Sequence, residues 1–236
     1  MDATSEPIIV AIDGHSSCGK STMARQLAQQ VGYIYVDTGA MYRAVTLYAL
    51  QQGFITSCAE QVRIDEDALK AHIRQGRISV AFQPHTGHTL LCGNDVEDSI
   101  RSPEVSDRVS LIAALPCVRH FLVAQQQDLG VAKGIVMDGR DIGTTVFPQA
   151  ELKVFVTADP EIRAKRRFDE LRAKGIPGID YDDILRNVRR RDELDAHRAI
   201  SPLRQAPDAL LLDNSHLTPQ EQLQWLLQQF QRVTNP

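Results

Sequence analysis

Short apolar runs alternate with stretches of helical spacing along most of the chain. Ile8-Ile9-Val10-Ala11-Ile12 predicts a buried strand, and the segment that follows carries Ala24, Leu27, Ala28 and Val31 on one helical stripe before stopping at Gly32. Tyr33-Ile34-Tyr35-Val36 predicts a second buried strand, with a helix from the Asp37-Thr38-Gly39 turn to about residue 52 and Gly53 as its stop. Ala68, Leu69, His72 and Ile73 share a helical face over 65–74. The period then changes. Residues 78–82 alternate, 83–88 read as a turn and 89–92 as a return strand, a hairpin inserted where the next parallel strand is due. Helical spacing resumes over 101–127, broken or kinked at Pro116. Apolar runs at 134–138, 152–156 and 209–213 predict three more core strands, the last two separated by arginine-rich helices. Thr218-Pro219-Gln220-Glu221 predicts a capped helix start, and Leu223, Leu226, Leu227, Phe230 and Val233 form the stripe behind it. Strands separated by helical crossovers give an α/β fold with a five-stranded parallel sheet.

The chemistry concentrates at the end of the first strand. Gly14-His15-Ser16-Ser17-Cys18-Gly19-Lys20-Ser21, followed by Thr22, fits G-x-x-x-x-G-K-[ST] between a predicted strand and a predicted helix. Such a loop aims N–H groups and a helix N-terminus at a polyphosphate. Lys20 then reaches the β/γ-phosphates and Ser21 stands where a Mg²⁺ ligand is needed. Two further strands end in informative residues, Asp37 after Val36 and Asp138-Gly139-Arg140-Asp141 after Met137. In open parallel sheets ligands bind at the carboxyl ends of strands, so all three ends are expected to share one site. Asp138 either closes a strand-end turn or helps hold Mg²⁺ through water, since that ion keeps part of its hydration shell.

With 236 residues and 43% hydrophobic content, the chain suits one α/β domain with insertions. The net charge of -4 gives no reason to expect a nucleic-acid polymer as partner. Basic residues are nonetheless gathered, at Arg163, Lys165, Arg166, Arg167, Arg172 and Lys174 and again at Arg186, Arg189, Arg190, Arg191 and Arg198, which suggests a small anionic ligand. Arg191, Asp195 and Arg198 fall at i, i+4 and i+7 and share a helix face, which is either a solvated salt-bridged face or a phosphate site. Cys18, Cys58, Cys92 and Cys117 form no C-x-x-C pair, as expected for reduced thiols in cytosol. No signal peptide and no membrane span are expected. His85, His88 and Cys92 lack a fourth ligand at a useful spacing, and a polar turn is the better account of them than a metal site.

Taken with the phosphate loop, Asp37-Thr38-Gly39-Ala40-Met41-Tyr42-Arg43, Asp138-Gly139-Arg140-Asp141-Ile142-Gly143-Thr144-Thr145-Val146-Phe147-Pro148 and Arg191-Asp192-Glu193-Leu194-Asp195-Ala196-His197-Arg198 resemble the bacterial cytidylate kinases. The motifs run from near residue 8 to beyond 213. The resemblance implies a nucleoside monophosphate kinase fold: a core over 1–38, 106–165 and 176–236, an acceptor-binding domain over 39–105 with a small antiparallel sheet, and a short helical lid over 166–175. It implies transfer from ATP, with Mg²⁺, to CMP or dCMP by a monomer in the cytoplasm.

Residue by residue, the resemblance assigns Arg166 and Arg167 to the ATP side, and Thr38 and Arg43 to the acceptor phosphate and its surroundings. Ser110 falls near the cytosine, and Arg119 at base or phosphate. Arg140 assists at phosphate or base and Asp141 at the base, while Arg191, Asp195 and Arg198 take the ribose and phosphate side. Lys20, Arg140 and Arg191 are the expected catalytic residues. Departures are small: Thr38 stands where some members have serine, Lys20-Ser21-Thr22 replaces lysine-glycine-threonine, and Cys117 a position that is often basic. Independently of the family, a carboxylate such as Asp141 can accept from the N4 amino group of cytosine, whereas uracil presents an acceptor there. Shikimate and dephospho-coenzyme A kinases, and a P-loop switch without turnover, are the rival readings. The D-T-G-A-M-Y-R and D-G-R-D motifs, and the lack of N-K-x-D, speak against them.

Overall fold

The computed structural model describes residues 6–58, 61–83 and 86–235. In chain order these form β1 (Ile9–Gly14), α1 (Lys20–Val31), β2 (Ile34–Asp37), α2 (Thr38–Gln51), β3 (Ile55–Cys58), β4 (Gln61–Ile64), α3 (Glu66–Arg74), β5 (Val80–Gln83), β6 (His88–Leu91), β7 (Asn94–Asp95), α4 (Pro103–Ala113), α5 (Pro116–Leu129), β8 (Ile135–Gly139), β9 (Leu152–Thr157), α6 (Pro160–Ala173), α7 (Tyr181–His197), β10 (Leu210–Asp213) and α8 (Pro219–Thr234). The chain divides into two compact units, residues 1–35 with 130–236 and residues 36–129.

The first unit is built on a five-stranded sheet of order β10-β9-β1-β8-β2. β1 pairs in parallel with both β8 and β9, and β10 with β9, so the carboxyl ends of these strands lie along one edge. Val10 and Ile12 of β1, Val136 of β8 and Val154 and Val156 of β9 are buried with Met23 and Leu27 of α1 and Leu226 of α8. Strands buried on both faces read as continuous apolar runs, which is why they are legible in the sequence. Gly32 ends α1 in the left-handed conformation, and Thr218 with Glu221 completes a capping box at the start of α8. One expectation is corrected here. The outer strands β10 and β2 are edges of the sheet rather than buried strands: Leu210 and Leu211 are 41% and 57% exposed with only Leu212 buried in β10, and in β2 Ile34 is 44% exposed with only Val36 buried.

In the second unit α2 packs against α4, α5 and β6, and α3 against α5, around Met41, Val45, Leu69, Ile100, Ile112 and Leu122. Because α4 and α5 pack here, this unit runs past residue 105 to 129. The expected hairpin is present as β5–β6, extended by β7. A separate sheet of two strands, β3–β4, has no clear signal in the sequence. The 101–127 helix is two helices: Ser102 caps α4 with Pro103 at its first turn, and α5 starts at Pro116 after a 95° bend. No single helix among the described residues is long and apolar enough to cross a membrane. The segment read as a lid, 166–175, is the C-terminal half of α6 and the turn that follows it.

Candidate active site

The phosphate loop sits between β1 and α1, and two of its glycines are required by geometry. Gly14 has φ 147° and a Cβ there would stand 2.0 Å from the Val156 carbonyl oxygen; Gly19 has φ 93° and its Cβ would stand 2.5 Å from Asn214 Nδ2. Three carbonyls of the loop are taken by side chains. Lys20 Nζ donates to His15 O at 2.6 Å, Arg163 Nη1 to Ser16 O at 3.3 Å and Asn214 Nδ2 to Cys18 O at 2.6 Å. With its carbonyls so held, the loop keeps its N–H groups for an anion. Burial pushes the pKa of the Lys20 ammonium below its ordinary value, with Arg140 adding repulsion.

Two of these loop anchors escaped the sequence reading. Arg163, taken there as one of a basic cluster, is 2% exposed and grips Asp192 with both guanidinium ends, Nη1 reaching Oδ1 at 3.0 Å and Nη2 reaching Oδ2 at 2.5 Å. His15 Nδ1 lies 3.3 Å from the same carboxylate. Burial alone would raise the pKa of Asp192, but His15 and Arg163 outweigh it and hold it at about 2. Asn214, fully buried after β10, is the other anchor. Arg166 serves this framework too, its Nη2 donating to Asn214 O at 2.7 Å and Ser215 O at 3.2 Å. Such partners lie far apart in sequence, and no local pattern points to them.

At the end of β8 the geometry suits a hard cation. Ser21 Oγ donates to Asp138 Oδ2 at 2.8 Å, and Tyr35 Oη donates to Oδ1 at 2.8 Å. One hydroxyl and one carboxylate, all oxygen, fit a Mg²⁺ held mainly by nucleotide phosphates and water. No group of three or more His, Cys, Asp or Glu side chains placed to hold a metal gathers anywhere among the described residues, here included. His88 instead pairs with Asp95 at 2.6 Å, Cys92 is exposed, and His85 lies outside the described residues.

Beyond Asp138 the cations crowd together. Arg140 Nε donates to Asp195 Oδ2 at 2.8 Å, and Arg198 Nη2 to Asp141 Oδ1 at 3.4 Å. Burial works against the charge of Arg140, and Asp195 overcomes it, so its pKa is raised. Burial would likewise raise Asp195, yet Arg140 and Arg191 leave it lowered. Arg191 fares differently. Its Nε is buried without a hydrogen-bond partner, and burial with repulsion from Arg140 and Arg167 brings its pKa to about 10. Asp195 and Asp192 offset this only in part, and a half-buried guanidinium so placed is a site that a further anion stabilises. The first unit therefore brings together the phosphate loop, Asp138, Arg140, Asp141, Arg191, Asp195 and Arg198, with Arg167 acting on Arg191 through its charge.

The remaining expected residues lie in the second unit. Thr38 is buried in the first turn of α2, whose start is capped by Asp37 accepting from Ala40 N at 3.0 Å. Arg43 Nη1 donates to Ser106 Oγ at 2.8 Å and Ile100 O at 3.2 Å. Ser110 of α4 is buried. Arg119 of α5 is 1% exposed, donates to Ala113 O at 3.1 Å and lies 5.4 Å from the centre of the Tyr42 ring.

The cytidylate kinase family profile matches residues 10–232 of this chain. Three curated relatives, each named cytidylate kinase, align along nearly the whole length. The protein of Parabacteroides distasonis is 60% identical over 96% of this chain and 97% of its own. That of Porphyromonas gingivalis is 57% identical over 97% and 98%, and that of Phocaeicola vulgatus 59% identical over 97% and 98%.

Proposed function

The chain belongs to the cytidylate kinase family, and from that premise we propose how its residues divide the work. It is an ATP-dependent phosphotransferase that passes the γ-phosphoryl group to CMP or dCMP. The observation that carries the residue assignment is Arg191, a half-buried cation with a buried, unpartnered Nε beside Arg140 and on the same unit as the phosphate loop.

ATP occupies the phosphate loop, residues 14–22, with Lys20 leaving His15 O for the β/γ-phosphate oxygens. Ser21 and Asp138 hold Mg²⁺, which when bound neutralises charge on the phosphates. Arg140 and Arg191 take up the negative charge of the transferring group, Asp195 orienting Arg140. No covalent intermediate is needed, because phosphoryl transfer rests on positioning and charge neutralisation. Asp141, held by Arg198, accepts from the cytosine amino group. Thr38, Arg43, Ser110 and Arg119 are assigned to CMP because they occupy the family's acceptor-contacting positions. Of the two basic residues assigned to the ATP side, Arg167 is the one whose charge reaches Arg191, while Arg166 is committed to the backbone after β10. The protein acts as a monomer in the cytoplasm.

The test is a coupled assay with CMP, dCMP, UMP, AMP and shikimate at saturating ATP and Mg²⁺. CMP and dCMP are expected to give the highest kcat/KM; a better rate on another acceptor overturns the assignment.

A further inference from the structure

Asp13, the last residue of β1 before Gly14, belongs to no part of the site so far described. It is 5% exposed, and its two carboxylate oxygens are both engaged: Ile142 N donates to Oδ1 at 2.7 Å and Gly143 N to Oδ2 at 2.7 Å. These are the first two N–H groups of the π-helical turn Ile142–Val146, which begins directly after Asp141. The first N–H groups of a helical turn have no partner within it and need an outside acceptor. A carboxylate accepting two of them is a charge-assisted clamp.

Within the turn, Thr145 N and Val146 N donate to Asp141 O at 2.8 and 3.2 Å and Phe147 N to Ile142 O at 2.7 Å. Gly143, Thr144 and Thr145 border a cavity of about 560 Å³ shared with Lys153, Ser201 and Pro202. Thr144 Oγ1 is buried without a partner. On the inner side the fit is close, since a Cβ at Gly143 would stand 3.2 Å from Lys153 Cδ and 3.4 Å from Asp13 Oδ2. From the β1 side the turn is held through Asp13.

We propose that Asp13 is a positioning residue for Asp141: by holding the N–H groups of Ile142 and Gly143 it fixes the turn that presents the base-reading carboxylate, and so sets discrimination between CMP and UMP. The inference rests on the assignment of Asp141 to the base. The charges facing Asp13 are Lys20 at the start of α1 and Asp141 beside the turn, while Lys153 of β9 is turned away to Pro148 O and Asp208. Burial brings the pKa of Asp13 up to about 7 despite the two N–H donors. Only the ionised carboxylate accepts at both oxygens without offering a proton, so the clamp tightens as pH rises through that value.

The experiment measures kcat/KM for CMP and UMP, KM for ATP, and their pH profiles in the wild type, Asp13→Asn, Gly143→Ala and Asp141→Ala. Asp13→Asn keeps the shape but turns one acceptor into a donor facing an N–H group. It should lower the CMP-to-UMP ratio by up to about 10²-fold, the cost of a small misplacement, while leaving KM for ATP at its wild-type value. The wild-type ratio should rise with pH across about 7, and the rise should be absent in Asp13→Asn. Gly143→Ala leaves the carboxylate in place and sets a methyl group 3.2 Å from Lys153 Cδ and 3.4 Å from Asp13 Oδ2, so it should lower the ratio by a smaller factor even if Asp13→Asn fails to fold. A loss confined to ATP affinity, or an unchanged ratio in both variants, overturns the proposal. If Asp141→Ala keeps the discrimination, the base assignment itself falls; if it alone loses discrimination, only the role of Asp13 falls.

Discussion

Arg140 and Asp195 are joined across 55 residues of sequence by a 2.8 Å bond from Nε to Oδ2, and that bond decides which cation at the site is satisfied. Asp195 is 5% exposed and also counters Arg191, whose Nε is buried without a hydrogen-bond partner. Asp195→Asn keeps the volume and removes the charge. It should cost about 1.5–3 kcal/mol of stability, the range for a hydrogen bond to a charged group. Inorganic phosphate should restore part of that loss, because it supplies the missing anion. Thermal denaturation with and without phosphate checks this: the variant should gain more than the wild type, and an equal gain in both would contradict it.

Asp192 has a stabilising role rather than a chemical one. Its pKa is held at about 2, below the ordinary carboxylate value of 3.8. The stability contributed by the pair with Arg163 is therefore fully present above about 3.8 and drains away as pH falls toward 2. Asp192→Ala leaves Arg163 buried and unpaired, an expected loss of about 3–5 kcal/mol. Denaturant unfolding at several pH values tests both statements: the difference between wild type and variant should shrink between pH 3.8 and 2 and stay constant above.

Ser21 offers a separate handle on the metal. Its hydroxyl donates to Asp138, and both oxygens are assigned to Mg²⁺. In Ser21→Ala the Mg²⁺ concentration for half-maximal rate should rise, while the affinity for ATP in chelator stays unchanged. A Mg²⁺ dependence identical to the wild type would remove Ser21 from the metal site.

How much of this could be read in advance depended on the range of the interaction. The phosphate loop, the Gly32 stop and the Thr218 capping box are local patterns, and each stands where its residues predict. β3 and β4 are four residues each; Gln61-Val62-Arg63-Ile64 alternates, but over too short a run to stand out from a loop before it pairs with Ile55–Cys58. Arg163 reads as one charge in a solvated run, yet its partner Asp192 is 29 residues away on α7 and both ends of its guanidinium are buried against it. Asp13 reads as the last residue before a glycine turn, while the N–H groups that it serves lie 129 and 130 residues on. Leu210 and Leu211 were misread for the opposite reason: an apolar run signals a strand but not whether the strand lies at the edge.

The central claim is that Arg191 is kept short of anions so that it can meet the charge of the transferring phosphoryl group. Single-turnover transfer, with ATP, Mg²⁺ and CMP bound beforehand, isolates that step. In Arg191→Met it should slow by about 10³-fold or more, as for loss of an arginine acting on the transferring group, with both substrates still bound. The same change removes a half-buried charge that Arg140 and Arg167 repel, so the melting temperature should hold or rise. A variant that transfers at the wild-type rate once its substrates are bound would contradict the account.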